Sequence, residues 1–330
     1  MTGLETVLEY LPVTIRQKID LAQNLRKKGP SPNLQIEEIR LRSSKPLILK
    51  IGQETYITDY IVKQQDILQA FEKICENSVY SYRRQICDGY ITIRGGNRVG
   101  IVGSAVIDNG QVININYISS LNFRIAREQK GCSNLVIREI IDETNNSIYN
   151  TLIVSPPGCG KTTFLRDIIR NISNGIKEIG FQGKTVGVVD ERGEIAAMYK
   201  GVPQNDVGIR TDIIENVSKN KGIHMLIRTM APEVIACDEI GSKDDVEAIH
   251  YALYSGVKGI FTMHAKNIED IKAIDYAMCC GVKGIFTAHG KDLEELNRNP
   301  ELTKLLNKHI FERIILLNQE KRGDAKCIYL

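Results

Sequence analysis

The stretch SPPGCGKTT, residues 155–163, places two glycines, a lysine and two hydroxyls at the spacing of a phosphate-binding loop. In such a loop the chain leaves a strand and opens a helix, so that several backbone N–H groups converge on one phosphate. Gly158 and Gly160 let the backbone approach closely; Pro157, Cys159 and Thr163 complete the cradle. Lys161 is placed to reach the β- and γ-phosphates, and Thr162 to hold Mg²⁺. Ser155 stands where the pattern has its first glycine. That position only ends the strand, and a small side chain fits it at little steric cost. An apolar β-branched run, 148–155, precedes the loop, and helical apolar spacing over 161–173 follows it.

A second acidic landmark is VIACDEIG, 234–241, an apolar strand ending in Asp238 and Glu239. This is the form of a Walker B motif. Asp238 is a Mg²⁺ ligand, directly or through water, and Glu239 positions or deprotonates the attacking water. A third is VVDERGEI, 188–195, where a β-branched strand ends in Asp190, Glu191 and, one turn on, Glu194. Strand C-termini line the ligand crevice of parallel sheets. Glu191 is the catalytic candidate here, while Glu194 is equally explained as an acid at a helix N-terminus. DEIG also fits a guanine-nucleotide pattern, with SKDD at 242–245 as base reader. That reader must lie across the site on another strand end, and SKDD begins one residue after Gly241, so the chemistry points to ATP.

Composition narrows the class. A net charge of +3 over 330 residues implies no polyanion-binding field. No apolar run approaches the roughly 18 residues of a membrane span, and MTGLETVLEYLPVTIRQ lacks the charge pattern of a secretory signal. The cysteines, Cys75, Cys87, Cys132, Cys159, Cys237, Cys279, Cys280 and Cys327, form no CxxC pair and read as reduced cytosolic thiols.

The elements that must position these residues fall into two parts. Residues 1–130 read as a smaller α+β domain: helical spacing over 4–26 broken at Pro12, strands over 36–58, helices over 64–89, and hairpins over 90–126 turning at Gly95-Gly96 and Asn109-Gly110. Residues 131–330 alternate strand and helix, with strands at 148–155, 185–190, 233–239, 259–264, 284–289 and 310–317 and a bridging helix over 134–143. Alternation of this kind predicts an α/β fold, a RecA-like P-loop ATPase core with a parallel sheet covered by helices.

The P-loop, DERGEI, LIRTMAPEVIACDEIG and FTMHA occur in the order of the P-loop, acidic box, Walker B and His box of the secretion-ATPase superfamily. Over nearly the whole chain, EIRLRSSKPL, GGNRVGIVG, SSLNFRIARE, PPGCGKTTFLRD, GVVDERGEIA, MAPEVIACDEIG, FTAHG and FERIILL resemble the stage III sporulation protein AA family of endospore-forming bacteria. The resemblance implies an ATPase of the mother-cell cytoplasm, peripheral to the membrane through membrane proteins of the channel linking mother cell and forespore. By analogy it implies a homo-oligomer, a hexamer, with the nucleotide at a subunit interface. It favours Arg124 or Arg127 of NFRIAR as the cation approaching a phosphate; Arg98, Arg210 and Arg228 are further candidates, and ordinary salt bridges explain any one of them as well.

Two features depart from that family. One is Ser155. The other is a tandem repeat: AIHYALYSGVKGIFTMHAKNIEDIK (248–272) is followed at once by AIDYAMCCGVKGIFTAHGKDLEELN (273–297), identical at 14 of 25 positions. The resemblance calls for one such unit, so a duplication yields two candidate sensor histidines, His264 and His289. In a RecA-like sheet one sensor strand lies between the P-loop and Walker B strands. A right-handed crossover from the Walker B helix puts the first copy there, the second beyond the P-loop strand, and IFERIILL at the edge. The match of TAHG and the following chain to the family argues for the opposite order. A RecA-like nucleic-acid-dependent ATPase is the rival reading. The absence of a basic stripe speaks against it, and Arg83-Arg84 beside Tyr80 and Tyr82 read as a solvated helix face, so no nucleic acid is expected.

Overall fold

The computed structural model describes residues 3–27, 35–52, 54–126, 129–156, 160–240, 243–263, 284–290, 293–297, 303, 306, 308, 311–317 and 325–329. The chain divides into two compact units, one of Met1–Arg127 with Ala197–Gln204, the other of Glu128–Ala196 with Asn205–Leu330.

The first unit opens with helices α1 (Gly3–Tyr10) and α2 (Val13–Lys27), parted at Pro12. Strands β1 (Ile36–Arg42), β2 (Pro46–Ile51) and β3 (Glu54–Ile61) follow, then α3 (Gln64–Ile74), the short α4 (Arg83–Cys87), β4 (Tyr90–Ile93), β5 (Asn97–Asp108) and β6 (Gln111–Arg124). The strands form one sheet in the order β3-β2-β1-β6-β5-β4, antiparallel throughout. Asn109 and Gly110, both at positive φ, turn β5 into β6 as their dipeptide predicts. Val7 of α1, Leu11 between the first two helices, Ile15 and Ile19 of α2 and Ile67 and Phe71 of α3 pack with Ile39, Leu49, Val99 and Phe123 of the sheet into one core.

The second unit begins with a single helical turn, α5 (Ile137–Ile140), and a small hairpin of β7 (Ile141–Asp142) and β8 (Ser147–Ile148). The helix predicted over 134–143 is confined to that turn, because consecutive β-branched Ile140 and Ile141 continue instead into strand. Then come β9 (Thr151–Ser155), α6 (Lys161–Asn174), the pair β10 (Gly175–Ile176) and β11 (Phe181–Gln182), and β12 (Val186–Asp190). The hairpin of β13 (Met198–Tyr199) and β14 (Val202–Pro203) belongs to the first unit. There the Tyr199 hydroxyl donates to the Glu76 carboxylate, Lys200 pairs with Glu76 at 2.6 Å, and the Gly95 N–H donates to Gln204 Oε1 at 2.8 Å. The chain returns through β15 (Thr211–Glu215), α7 (Lys219–Met230), β16 (Val234–Ile240), α8 (Lys243–Tyr254), β17 (Lys258–Met263), β18 (Gly284–His289), α9 (Leu293–Asn297), β19 (Arg313–Leu317) and β20 (Ala325–Tyr329).

The large sheet runs β15-β12-β16-β17-β18-β9-β19-β20, parallel except at its β19–β20 edge. Both repeat copies therefore lie between the Walker B strand β16 and the P-loop strand β9. This corrects the expectation of a single intervening strand with GIFTAH beyond β9; β19, not a repeat strand, lies there, and β20 takes the edge. The physical reason is self-pairing. Gly259, Ile260, Phe261 and Thr262 lie opposite Gly284, Ile285, Phe286 and Thr287, each residue beside its own duplicate. An added strand that reproduces its neighbour's pleat and apolar pattern extends the sheet without altering register. Phe261 and Phe286 are buried with ring centroids 6.1 Å apart, and Phe286 meets Phe311 edge-on.

Helix α6 is fixed from behind by Asp167, a buried carboxylate. It accepts the Gly131 and Ser133 N–H groups at 2.9 and 2.8 Å, the Ser133 hydroxyl at 2.8 Å and Arg170 Nε at 2.9 Å. Burial alone would raise the Asp167 pKa, but these donors outweigh it and hold it below the ordinary aspartate value. A depressed carboxylate stabilises the fold above its unfolded pKa and loses that contribution as pH falls through the folded value. Asp167→Ala is expected to cost about 3 kcal/mol at neutral pH. Its deficit relative to wild type should shrink as pH falls below about 4, read from chemical denaturation at a series of pH values.

Candidate active site

Gly160 begins α6 in the left-handed region, φ 79°. A Cβ there would have room, so glycine is required by the backbone angle rather than by space. The Phe164 N–H closes the first helical bond onto the Gly160 carbonyl at 2.9 Å. Thr162, the second residue of the helix, donates its hydroxyl to Asp238 Oδ2 at 2.7 Å. The P-loop helix and the Walker B strand thus meet although two strands separate β9 from β16. Three strand spacings are about 14 Å. The helix bridges them by packing on β17 and β12 rather than following β9 alone. Ser155, opposite residue 289 in the β9–β18 register, is fully buried and its hydroxyl has no partner among the described residues.

The end of β16 is irregular. The β16–β17 register shifts between Cys237 and Ile240, and Glu239 lies at φ 52°. A bulge with a non-glycine residue in the left-handed region is a strained local arrangement of the kind found beside functional sites. Its effect here is to aim two consecutive carboxylates differently, Asp238 at Thr162 and Glu239 at Arg192, whose Nη1 donates to Glu239 Oε2.

The acidic box resolves into three roles. Asp190 is buried, and its carboxylate accepts three backbone N–H groups, from Glu194 at 2.8 Å, Ile195 at 3.1 Å and Ala196 at 2.8 Å. Arg166 of α6 clamps the same turn, donating to the Ile195 and Glu194 carbonyls at 2.6 and 2.7 Å. No helix begins at Glu194, so the helix-dipole explanation of that acid does not hold; residues 191–197 are a turn organised by Asp190. Glu191 accepts a hydrogen bond from Lys219 Nζ at 2.6 Å, and Asp245 lies 4.0 Å from the same ammonium. Burial would lower the Lys219 pKa, but the Glu191 bond and the two carboxylate charges outweigh it and raise it above the ordinary lysine value. Glu215 lies opposite Asp190 on β15; burial and the Asp190 charge push its carboxyl up.

These side chains share one cleft, lined by Asp190, Glu191, Arg192, Glu194, Lys219, Asp238 and Glu239. Sequence spacing singled out its acids and missed its two cations. Lys219 carried one signal: a lysine in the first turn of a helix opposes the dipole, and needs carboxylates to hold it. Arg192 carried none beyond lying inside DERGEI.

Arg124, at the end of β6 in the first unit, is mostly exposed and 4.0 Å from Glu38. His289 ends β18. Arg127, Pro157, Gly158, Cys159 and His264 lie outside the described residues. The oxygen donors of Thr162 and Asp238 suit a hard cation such as Mg²⁺. Among the described residues no three His, Cys, Asp or Glu side chains gather as a metal centre. Cys75, Cys87, Cys132, Cys237 and Cys327 are unbridged. No helix among the described residues is long and apolar enough to cross a membrane.

The chain is 35% identical over 298 residues to the stage III sporulation protein AA of Bacillus subtilis, covering 90% of this chain and 87% of that protein. It is 32% identical over 154 residues to the uncharacterized protein ycf45 of Cyanidium caldarium, 46% of this chain and 42% of that one. The X-ray structure of the Legionella pneumophila ATPase DotB superposes with a TM-score of 0.52 at 13% identity, covering 97% of this chain and 81% of DotB, a likeness of fold. The family model for sporulation stage III, protein AA, matches residues 7–273 and again 266–330, its two matches overlapping inside the tandem repeat. The chain belongs to the stage III sporulation protein AA family and shares its fold with the ATPase DotB.

Proposed function

We propose that this chain is an ATP-hydrolysing motor that powers assembly of, or transport through, the channel between mother cell and forespore. The observation that carries the hydrolase reading is the Thr162–Asp238 hydrogen bond at 2.7 Å. It joins the residue a P-loop offers to Mg²⁺ with the carboxylate a Walker B strand offers to the same ion, across a sheet that separates them in sequence by 76 positions. Lys161, at the first position of α6, supplies the cation at the β- and γ-phosphates, and the backbone N–H groups that open α6 face them. Bound Mg²⁺ would neutralise charge on the phosphate oxygens, held by Thr162 and Asp238. Glu239 takes a proton from the attacking water, the oxygen attacks the γ-phosphorus, and the bond to the β,γ-bridging oxygen breaks to leave ADP and phosphate. Glu191, held by Lys219, is a structural neighbour of that step and its reserve carboxylate. Arg124 or Arg127 of an adjacent copy completes the charge balance in a homo-oligomer. The sporulation family membership supports the cytoplasmic, membrane-peripheral setting and channel proteins as partners.

Lys161→Ala is expected to abolish phosphate release and to weaken nucleotide binding sharply. Glu239→Gln should retain binding and lose turnover by on the order of 10²-fold or more. If Glu239→Gln hydrolyses at the wild-type rate, water activation belongs to Glu191.

Phosphate release per subunit should rise with protein concentration if Arg124 or Arg127 serves a neighbour's nucleotide. Subunits carrying Arg124→Ala and Arg127→Ala should then poison more than their share of sites in mixtures. A rate flat across the monomer–oligomer transition, followed by light scattering, excludes the shared site.

His264, the next residue in sequence after β17, is the proposed γ-phosphate sensor. His264→Ala should then lower turnover far more than His289→Ala. The reverse ranking assigns the sensor to the copy beside the P-loop strand, and equal small effects assign it to neither.

A further inference from the structure

Two acids of the cleft, Glu191 and Glu239, are each paired with a cation, and the two pairs differ in kind. Lys219 is buried, with its side chain 10% exposed, and is locked between Glu191 and Asp245. Arg192 is 61% exposed and sits on Glu239 from the open side. Its backbone does not need to move for its side chain to leave. Asp190 pins the 194–196 amides and Arg166 pins the 194 and 195 carbonyls, so the turn is rigid while the guanidinium projects from it. The Glu239 backbone is set by the bulge and its left-handed φ. The more exposed partner is the arginine.

Charge decides where it goes. A carboxylate already accepting a guanidinium N–H has one lone pair fewer with which to hold and deprotonate water. A terminal phosphate offers more charge and three acceptor oxygens in the geometry a guanidinium matches best. Resting on the ATPase reading, we propose that Arg192 is a γ-phosphate-reading residue. Without a γ-phosphate it parks on Glu239 and keeps that carboxylate idle; a γ-phosphate draws it off and frees Glu239 to receive the water. ADP, lacking that group, leaves the pair closed.

The test is equilibrium binding, which needs no turnover. Magnesium with fluorescent ADP or a fluorescent β,γ-imido analogue of ATP is titrated into wild type, Arg192→Ala, Arg192→Lys, Glu239→Gln and the Arg192→Ala/Glu239→Gln double variant. Arg192→Ala should lower the preference for the analogue over ADP about tenfold or more while ADP affinity stays unchanged, which also reports intact folding. Arg192→Lys should restore part of it. Glu239→Gln removes the charge on which the arginine parks and should raise the preference several-fold, and that gain should vanish in the double variant. A preference unchanged by Arg192→Ala, or a Glu239→Gln gain that survives without Arg192, overturns the proposal while leaving the ATPase reading intact. Wild type that binds neither nucleotide, or Lys161→Ala that binds both as wild type does, overturns the ATPase reading and this proposal with it.

Discussion

The buried carboxylate of Asp190 is the constraint on which the site rests. An ionised carboxylate taken out of water is costly unless its oxygens are filled. Here three backbone amides fill them. Hydrogen bonds to a charged group are worth about 1.5–3 kcal/mol each, enough to offset the burial and to force residues 191–196 into one tight turn. Everything the turn carries follows from that. Its carbonyls are placed for Arg166, which ties the P-loop helix to it. Glu191 is set against Lys219 and Arg192 against Glu239. The chain leaving the turn at Ala196 enters the hairpin that Glu76 and Gly95 hold in the first unit. A single acid, read in the sequence as one of three facing the ligand, turns its charge inward.

What the sequence disclosed and what it hid divide along the range of the forces involved. The strand ending at Ser155, the helix opening after Gly160, the strand carrying Asp238-Glu239 and the Asn109-Gly110 turn are legible because their signals are local: glycine for φ, helical apolar spacing, an apolar run before two acids. Strand β15 was missed because TDIIE is short and only half-buried, an edge strand whose pairing with β12 rather than its composition makes it a strand. The β13–β14 hairpin has two-residue strands fixed by Tyr199, Lys200 and Gln204 reaching residues more than a hundred positions away. No periodicity encodes such contacts. Arg192 and Lys219 were hidden for the same reason: a cation acquires its role from the carboxylate opposite it, and the carboxylate is distant in sequence.

The repeat shows how a parallel sheet absorbs an insertion. Residues paired with their own duplicates have identical backbone preference, side-chain volume and facing direction. Gly259 and Gly284 make the point sterically, since a Cβ on Gly259 would strike the Phe261 ring at 2.0 Å and one on Gly284 the Phe286 ring at 2.9 Å. Each copy brings the glycine that its own phenylalanine requires. The intruding strand therefore carries its packing solution with it, and the Phe261–Phe286–Phe311 stack continues across the junction.

Widening the sheet should nevertheless pull the P-loop strand from the Walker B strand by one strand spacing, about 4.8 Å. A site assembled only from strand ends would be broken by that step, because a hydroxyl–carboxylate bond fails well before it. This site is spared because Thr162 is not on a strand end. It rides on α6, which lies over β17 and β12 and is held from both sides, by Asp167 behind and by the Arg166 clamp on the Asp190 turn in front. The helix takes its position from the β12 side of the sheet as much as from β9.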